Sequence, residues 1–181
     1  MKKKTLWLTH SALMLALLIT LQSLTRGLGQ IVTGSCVNAV LAAATLLINC
    51  SSGLAVALLS PIFAFLLGIA PQLVTVPAIM AGNAVFVLVL SLLHRGSASP
   101  VRQIILWLTA AVAKFAVLHI LVVRIICGAA SGALMENGLL KAPMLTNLPV
   151  MFTWPQLITA LIGGALALVI TPIVKKSLHH R

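Results

Sequence analysis

Six long apolar runs divide the chain and constrain its fold more than any other feature. They cover residues 6–24, 31–48, 54–70, 73–93, 104–127 and 157–174. A helix that crosses a bilayer needs about 20 predominantly apolar residues, and each run is near that length, although the third and sixth are short. The sequence therefore predicts an all-α integral membrane protein in which residues 1–181 form one domain of six transmembrane helices.

The composition excludes a soluble globular domain. The 181 residues are 61% hydrophobic and 7% charged, and the formal net charge is +11. Such a charge can indicate nucleic-acid binding, but the basic residues are scattered at the ends of the apolar runs, without a basic face or interleaved aromatic residues. The pattern therefore indicates membrane topology and predicts no nucleic-acid partner.

The placement of the basic residues indicates the orientation of the chain. Six spans place both termini on one side of the membrane, and cytoplasmic loops carry the excess of Lys and Arg. With the termini inside, the cytoplasmic segments hold Lys2, Lys3, Lys4, Arg95, Arg102, Lys175, Lys176 and Arg181, and the outer segments hold Arg26, Arg124 and Lys141. We therefore expect both termini to be cytoplasmic. The first run lacks a clear small-residue cleavage site, so we expect it to remain as a helix.

Lys114 lies near the middle of the fifth run, roughly 16 to 20 Å from either end at about 1.5 Å per residue. This depth prevents its amine from reaching water easily. The lysine therefore needs an anion, a wet cavity or loss of its proton. The only acidic residue of the chain, Glu136, is far downstream. Two interpretations stay open: a ligand supplies the counter-ion, or the lysine pairs with backbone carbonyls or water between helices.

Further polar side chains fall just inside the predicted outer face, where they are suited to hydrogen bonding with a small ligand. They are Gln30, Thr33, Ser35 and Asn38. For the two hydroxyl residues, the alternative is helix capping. Asn83 in the fourth run lies at a depth similar to that of the lysine. We expect it to form the floor of a pocket or, alternatively, to hold helices together.

The longest segment between apolar runs covers residues 128–155, and connections of this length often act as lids or binding loops. We expect it to close over a ligand. Trp154 and Gln156 stand where this segment enters the sixth run. A tryptophan in this place anchors a helix at the membrane interface or, alternatively, covers a ligand.

The chain shows no metal-ligand spacing, and we predict no metal and no cofactor. We expect Cys36, Cys50 and Cys127 to be free thiols; a disulfide between Cys36 and Cys127, both predicted near the outer side, is the alternative. No Gly-rich phosphate-binding motif is present in the sequence, so any ATP-driven step would belong to a partner.

Ala12 and Ala16 form part of a stripe of small residues at every fourth position in the first run. Such a stripe lets another helix approach closely, either within the same protein or from a partner.

Other functional classes are less consistent with these residues. A metal-dependent lipid transferase needs clustered acids, which one glutamate does not supply. The scattered histidines and Ser131 form no recognisable hydrolase constellation, so we do not expect an enzyme. A small channel or membrane assembly subunit remains an alternative.

The order of several features resembles the substrate-binding S component of an energy-coupling factor (ECF) vitamin transporter. These features are Ala12 and Ala16, the outer loop at 27–38, Pro61 in the third run, Asn83, and Trp154-Pro155-Gln156-Leu157 before Gly163-Gly164. The likeness covers nearly the whole chain in size, six-helix layout and loop placement.

This resemblance implies a prokaryotic cell-membrane protein, mostly found in Gram-positive bacteria, that captures a vitamin-like small molecule near the outer face. It implies docking through Ala12 and Ala16 onto a transmembrane T subunit that is driven by two ATPase subunits. The substrate-binding candidates are Gln30, Thr33, Asn38, Asn83, Lys114, Trp154 and Gln156. The ligand is expected to carry a carboxylate or another electron-rich group near Lys114.

Overall fold

The structure, a computed structural model, describes residues 2–70, 72–94 and 99–179. It is 89% helical, and the described residues contain no strand. The α-helices are α1 (Lys2–Thr25), α2 (Gln30–Leu47), α3 (Cys50–Leu66), α4 (Val76–Ser91), α5 (Pro100–Leu118), α6 (Ser131–Glu136), α7 (Met144–Met151) and α8 (Trp154–His179). Two of the predicted cytoplasmic cations, Arg95 and Arg181, lie outside the described residues.

Among the described residues, five helical stretches are long and apolar enough to cross a membrane. They are Lys4–Leu28, Gln30–Leu47, Leu73–Ser91, Pro100–Ala129 and Met144–Ser177. The third predicted run corresponds to α3, an apolar helix of 17 residues. The all-helical prediction is confirmed, and this architecture is that of a multi-pass helical membrane protein.

The bounds of α3 correct the predicted range of 54–70. The helix begins at Cys50 because the side-chain oxygen of Asn49 accepts a hydrogen bond from the Ser52 amide, at 2.8 Å, and so caps the first turn. It ends at Leu66, shortly before Gly68 adopts a φ of +67°. This left-handed conformation ends a helix and is readily accessible to glycine.

The fifth helix is longer than the predicted range of 104–127. It begins at Pro100 after Ser99, whose hydroxyl accepts a hydrogen bond from the Arg102 amide at 3.3 Å. A π-helical segment, His119–Ala129, continues it. A π-helix has more residues per turn than an α-helix, so the side chains of this helix follow a spacing of 100° per residue only as far as Leu118.

Helix α2 is at the centre of the bundle and packs against α1, α3, α4 and α8. Its contact with α8 depends on two glycines. A Cβ on Gly163 would lie 2.5 Å from Asn38 Cβ and 2.6 Å from the Ser35 carbonyl oxygen, and a Cβ on Gly34 would lie 2.8 Å from the Thr159 methyl carbon. The two helix backbones therefore approach more closely than larger residues would permit.

The larger apolar core cluster is formed by side chains of several long helices. Leu41 of α2, Leu90 of α4 and Ala110 of α5 have no exposed surface, and Phe86 is also fully buried. These side chains fill the bundle between its two ends.

We expect Gly163→Ala to lower the free energy of unfolding by about 1 to 3 kcal/mol, because the added methyl group would overlap the α2 backbone, which cannot rotate away. Thermal unfolding of the purified protein, followed by tryptophan fluorescence, measures this effect. Gly132→Ala in α6 is the control, since a Cβ there meets no atom within 4 Å. Equal melting temperatures for the two variants would contradict the close α2–α8 packing.

Candidate ligand-binding cavity

A cavity of about 270 Å³ lies at the end of the bundle where α2, α4 and α8 begin and α1 and α3 end. Its polar lining residues are Gln22, Arg26, Gln30, Thr33, Asn38, Ser60, Asn83, Lys114 and Gln156. Six of the seven predicted substrate-binding residues are in this set. The structure therefore brings together side chains that are far apart in the sequence.

Lys114 lies deep in the bundle and is only 3% exposed. Its Nζ donates hydrogen bonds to two side-chain amide oxygens, Asn38 Oδ1 at 2.5 Å and Asn83 Oδ1 at 2.7 Å. The lysine comes from α5, and the two asparagines come from α2 and α4. Its partners among the described residues are therefore side-chain amides, and the predicted alternative of backbone carbonyls is not what the structure shows.

A chain of hydrogen bonds extends from this lysine into α8. Asn38 Nδ2 donates to Thr159 Oγ1 at 3.3 Å, and Thr159 Oγ1 donates to the Gln156 carbonyl oxygen at 3.1 Å. Because the Asn38 amide nitrogen is already used as a donor, its oxygen is left to face the lysine. The network thus fixes the orientation of the Asn38 side chain and connects α2, α5 and α8.

The charges at the cavity are positive. Lys114 and Arg26 both line it, and none of the described lining residues is acidic. The Phe86 ring centroid lies 5.6 Å from Lys114 Nζ, which is within the range of a cation–π contact. Neutral oxygens and an aromatic ring stabilise the ammonium group without cancelling its charge, so this cavity favours an anionic occupant.

Gln30 and Gln156 line the cavity but also hold its wall together. Their side-chain nitrogens donate to the same acceptor, the Met151 carbonyl oxygen, at 2.5 Å and 3.2 Å. Met151 ends α7 just before α8 begins. The two glutamines therefore fasten the α7–α8 connection to the start of α2.

The predicted capping roles of Thr33 and Ser35 are wrong because α2 begins earlier, at Gln30. Thr33 lies within the helix, lines the cavity and donates from its hydroxyl to the Thr25 carbonyl oxygen at 2.7 Å. Ser35 is buried, and its hydroxyl has no hydrogen-bond partner among the described residues. Gly29, with a φ of +88°, permits the turn that precedes α2.

Trp154 is not among the residues that line the cavity. It is 69% exposed, and its ring stacks on Phe115 with a centroid separation of 6.1 Å and an interplanar angle of 20°. The structure therefore does not place Trp154 over the cavity, and its role as an anchor at the membrane interface stays a prediction.

The predicted lid segment at 128–155 is largely helical, since it contains α6 and α7. Its final part reaches the cavity, where Met151 and Phe152 contribute to the lining. Phe152 is 3% exposed. The segment therefore covers one side of the cavity, and its closure over a ligand stays a prediction.

Sequence reasoning did not select Gln22, Arg26 or Ser60 as ligand contacts. Ser60 is 2% exposed, and its hydroxyl has no hydrogen-bond partner among the described residues. It precedes Pro61, whose missing N–H removes the usual donor to the Ala57 carbonyl. A serine beside a proline in mid-helix was the available signal, because such a site leaves polar groups that need partners.

Two other predicted features lie away from the cavity. Ala12 and Ala16 are exposed on α1, which packs against α2 and α3. Cys36, Cys50 and Cys127 are all free, as expected. The pairing of Cys36 with Cys127 is therefore not formed.

The donors around Lys114 are suited to a carboxylate. An ammonium group has three N–H donors, and two of those on Lys114 point to asparagine oxygens. No described residue accepts a hydrogen bond from Asn83 Nδ2. The third lysine donor and this amide thus provide two neighbouring positions, one for each carboxylate oxygen.

No family model, curated protein or solved structure matches this chain.

The two asparagine contacts predict a strong energetic coupling. We expect Asn83→Leu to lower the free energy of unfolding by about 2 kcal/mol, because the buried ammonium would lose one of its acceptors. In a Lys114→Met background the same substitution should have a much smaller effect, since no ammonium remains to be satisfied.

Unfolding of the four proteins in the same detergent measures this coupling. If Asn83→Leu lowers stability equally with and without Lys114, the hydrogen bond between the two side chains does not stabilise the fold.

Proposed function

We propose that this protein is the substrate-binding membrane subunit of an ECF-type importer, which captures a small anionic nutrient and delivers it with partner subunits. The observation that carries this proposal is the cavity with Lys114 at its depth. A lysine surrounded by neutral groups in a membrane protein is energetically unfavourable unless something compensates its charge. A ligand with a carboxylate would supply that compensation.

The form of the cavity supports reversible capture. It is open at one end of the bundle and narrows to a small number of convergent polar groups, as ligand sites commonly do. The apolar lining residues, among them Val37, Ile79 and Phe152, offer contacts to the body of a small molecule. The polar groups would then orient its anionic end.

The closed core supports a receptor in preference to a channel. Leu41 follows the cavity residue Asn38 along α2, and Leu90 follows Asn83 along α4. Both leucines have no exposed surface, and Phe86 lies fully buried on α4 between Asn83 and Leu90. A solute that enters beside Lys114 therefore meets packed apolar side chains, and its passage requires a conformational change or a partner.

The exposed face of α1 supports a role for a partner. Ala12, Ala16 and Thr20 are exposed at successive helical turns. α1 packs on the bundle through α2 and α3, which leaves this small-residue face outward. In the proposed complex this face contacts the T subunit, and two ATPase subunits supply the energy. All six long helices then span the membrane, and both termini lie in the cytoplasm of a prokaryotic cell.

The first test identifies the ligand and its dependence on Lys114. Mass spectrometry of small molecules extracted from the purified protein should detect a carboxylate or another anionic compound. Lys114→Met should weaken its binding by at least about tenfold, because a charge-assisted hydrogen bond contributes roughly 1.5 to 3 kcal/mol. Lys141→Met, on an exposed residue outside the cavity, is the control. Unchanged affinity in Lys114→Met would remove the lysine from the binding site.

The second test separates capture from delivery. Ala16→Trp should abolish uptake in cells that produce the coupling subunits, while ligand binding by the purified subunit stays unchanged, because the indole would hold a partner helix away from α1. Val169→Trp, on an exposed position of α8, controls for a bulky residue at the lipid-facing surface. Normal uptake by the Ala16→Trp variant would contradict docking through this face.

A further inference from the structure

A second cavity, of about 260 Å³, lies at the opposite end of the bundle. It is formed where α2 and α8 end and α5 begins, with Leu46, Gln103 and Lys175 among its lining residues. It shares no described lining residue with the cavity around Lys114. The proposed nutrient capture does not use this site.

The wall that α8 contributes contains a buried polar group without a partner. Thr171 is 6% exposed, and its hydroxyl has no hydrogen-bond partner among the described residues. It lines the cavity together with Leu168 and Pro172 of the same helix. A buried hydroxyl without a partner is unfavourable, and a ligand in this cavity would satisfy it.

The charge at this end of the bundle is positive. Lys175 lines the cavity, Lys176 follows it on α8, and Arg102 precedes the lining residue Gln103 on α5. The only acidic residue of the chain, Glu136, lies beyond the far end of the long helix that starts at Pro100. An ammonium group, an amide and a hydroxyl together suit a phosphate group, which accepts several hydrogen bonds.

Apolar side chains surround these polar groups and can contact the acyl chain of a lipid. Leu46, Leu93 and Leu168 line the cavity. On α8, Val169 and Ile173 beside it are 63% and 64% exposed and present an apolar surface to the bilayer. An acyl chain can therefore lie along α8 while the headgroup occupies the cavity.

We propose that this cavity binds a phosphate-bearing anion, and that the phosphate is the headgroup of an anionic phospholipid. The phosphate accepts hydrogen bonds from the Thr171 hydroxyl and the Gln103 amide, and Lys175 supplies the opposite charge. The bound lipid bridges the ends of α2, α5 and α8 and so stabilises the bundle.

The test compares the full-length protein in nanodiscs of two compositions. One contains dioleoylphosphatidylcholine alone, and the other contains four parts of it to one part of dioleoylphosphatidylglycerol. The anionic lipid should raise the melting temperature, and native mass spectrometry should detect phosphatidylglycerol bound to the protein.

Glycerol 3-phosphate added to the first nanodisc distinguishes a free phosphate from a lipid. If phosphatidylglycerol raises the melting temperature and glycerol 3-phosphate does not, the ligand is a lipid headgroup. If both compounds raise it, the cavity binds phosphate and the acyl chain is not required. Stabilisation by neither overturns the proposal.

Two variants test the assigned residues. Lys175→Gln and Thr171→Val should each reduce phosphatidylglycerol retention about fivefold, through loss of one charge and of one hydrogen bond respectively. The matched controls are Lys141→Gln and Thr146→Val, which change exposed residues outside the cavity.

Thr171→Val also separates binding from a purely structural role. Valine has nearly the same shape as threonine, so removal of an unsatisfied hydroxyl should leave the fold intact or more stable in phosphatidylcholine. The proposal requires that this variant lose most of the stabilisation that phosphatidylglycerol gives to the wild type. Equal stabilisation and equal lipid retention in wild type and variant would overturn the assignment of Thr171.

Discussion

The hydrogen bonds between the Lys114 amine and two asparagine oxygens are the interaction on which the arrangement of the bundle depends. They join α5 to α2 and α4 at 2.5 Å and 2.7 Å at the bottom of the cavity, where the described residues provide no carboxylate. A polar group in such surroundings must find partners within the protein. The three helices are therefore held in one relative register, and the same amine defines the depth of the cavity.

Close packing complements this polar network. Between helices in a bilayer the hydrophobic effect contributes little, because lipid tails are as apolar as the side chains, so small residues and hydrogen bonds are more important. Gly163 lets α8 approach the backbone of α2 next to Asn38, which bonds to both Lys114 and Thr159. The glycine contact and the amide network are thus parts of the same α2–α8 interface.

The two ends of the bundle offer different chemistry. The first cavity is open at one end of the bundle and has the Lys114 amine at its bottom. The cavity at the other end is lined by Thr171, Lys175 and leucine side chains. Fully buried residues such as Leu41 and Leu90 lie between them. Because the core separates the two sites, the proposed nutrient and the proposed lipid would not compete for the same contacts.

The sequence by itself determined the helical class, since apolar runs near the length of a membrane span permit little else, and it marked Lys114 and Asn83 as polar groups at unusual depth. Helix bounds were less predictable, because helix caps act locally: the Asn49 cap starts α3 at Cys50 instead of at the predicted residue 54. Only the tertiary structure decided which polar groups meet. Gln30 and Gln156 are 126 positions apart in the chain, yet they share the Met151 carbonyl, and Ser60 joins the cavity. Contacts of this kind depend on how the helices cross and rotate, which no periodicity within a single helix specifies.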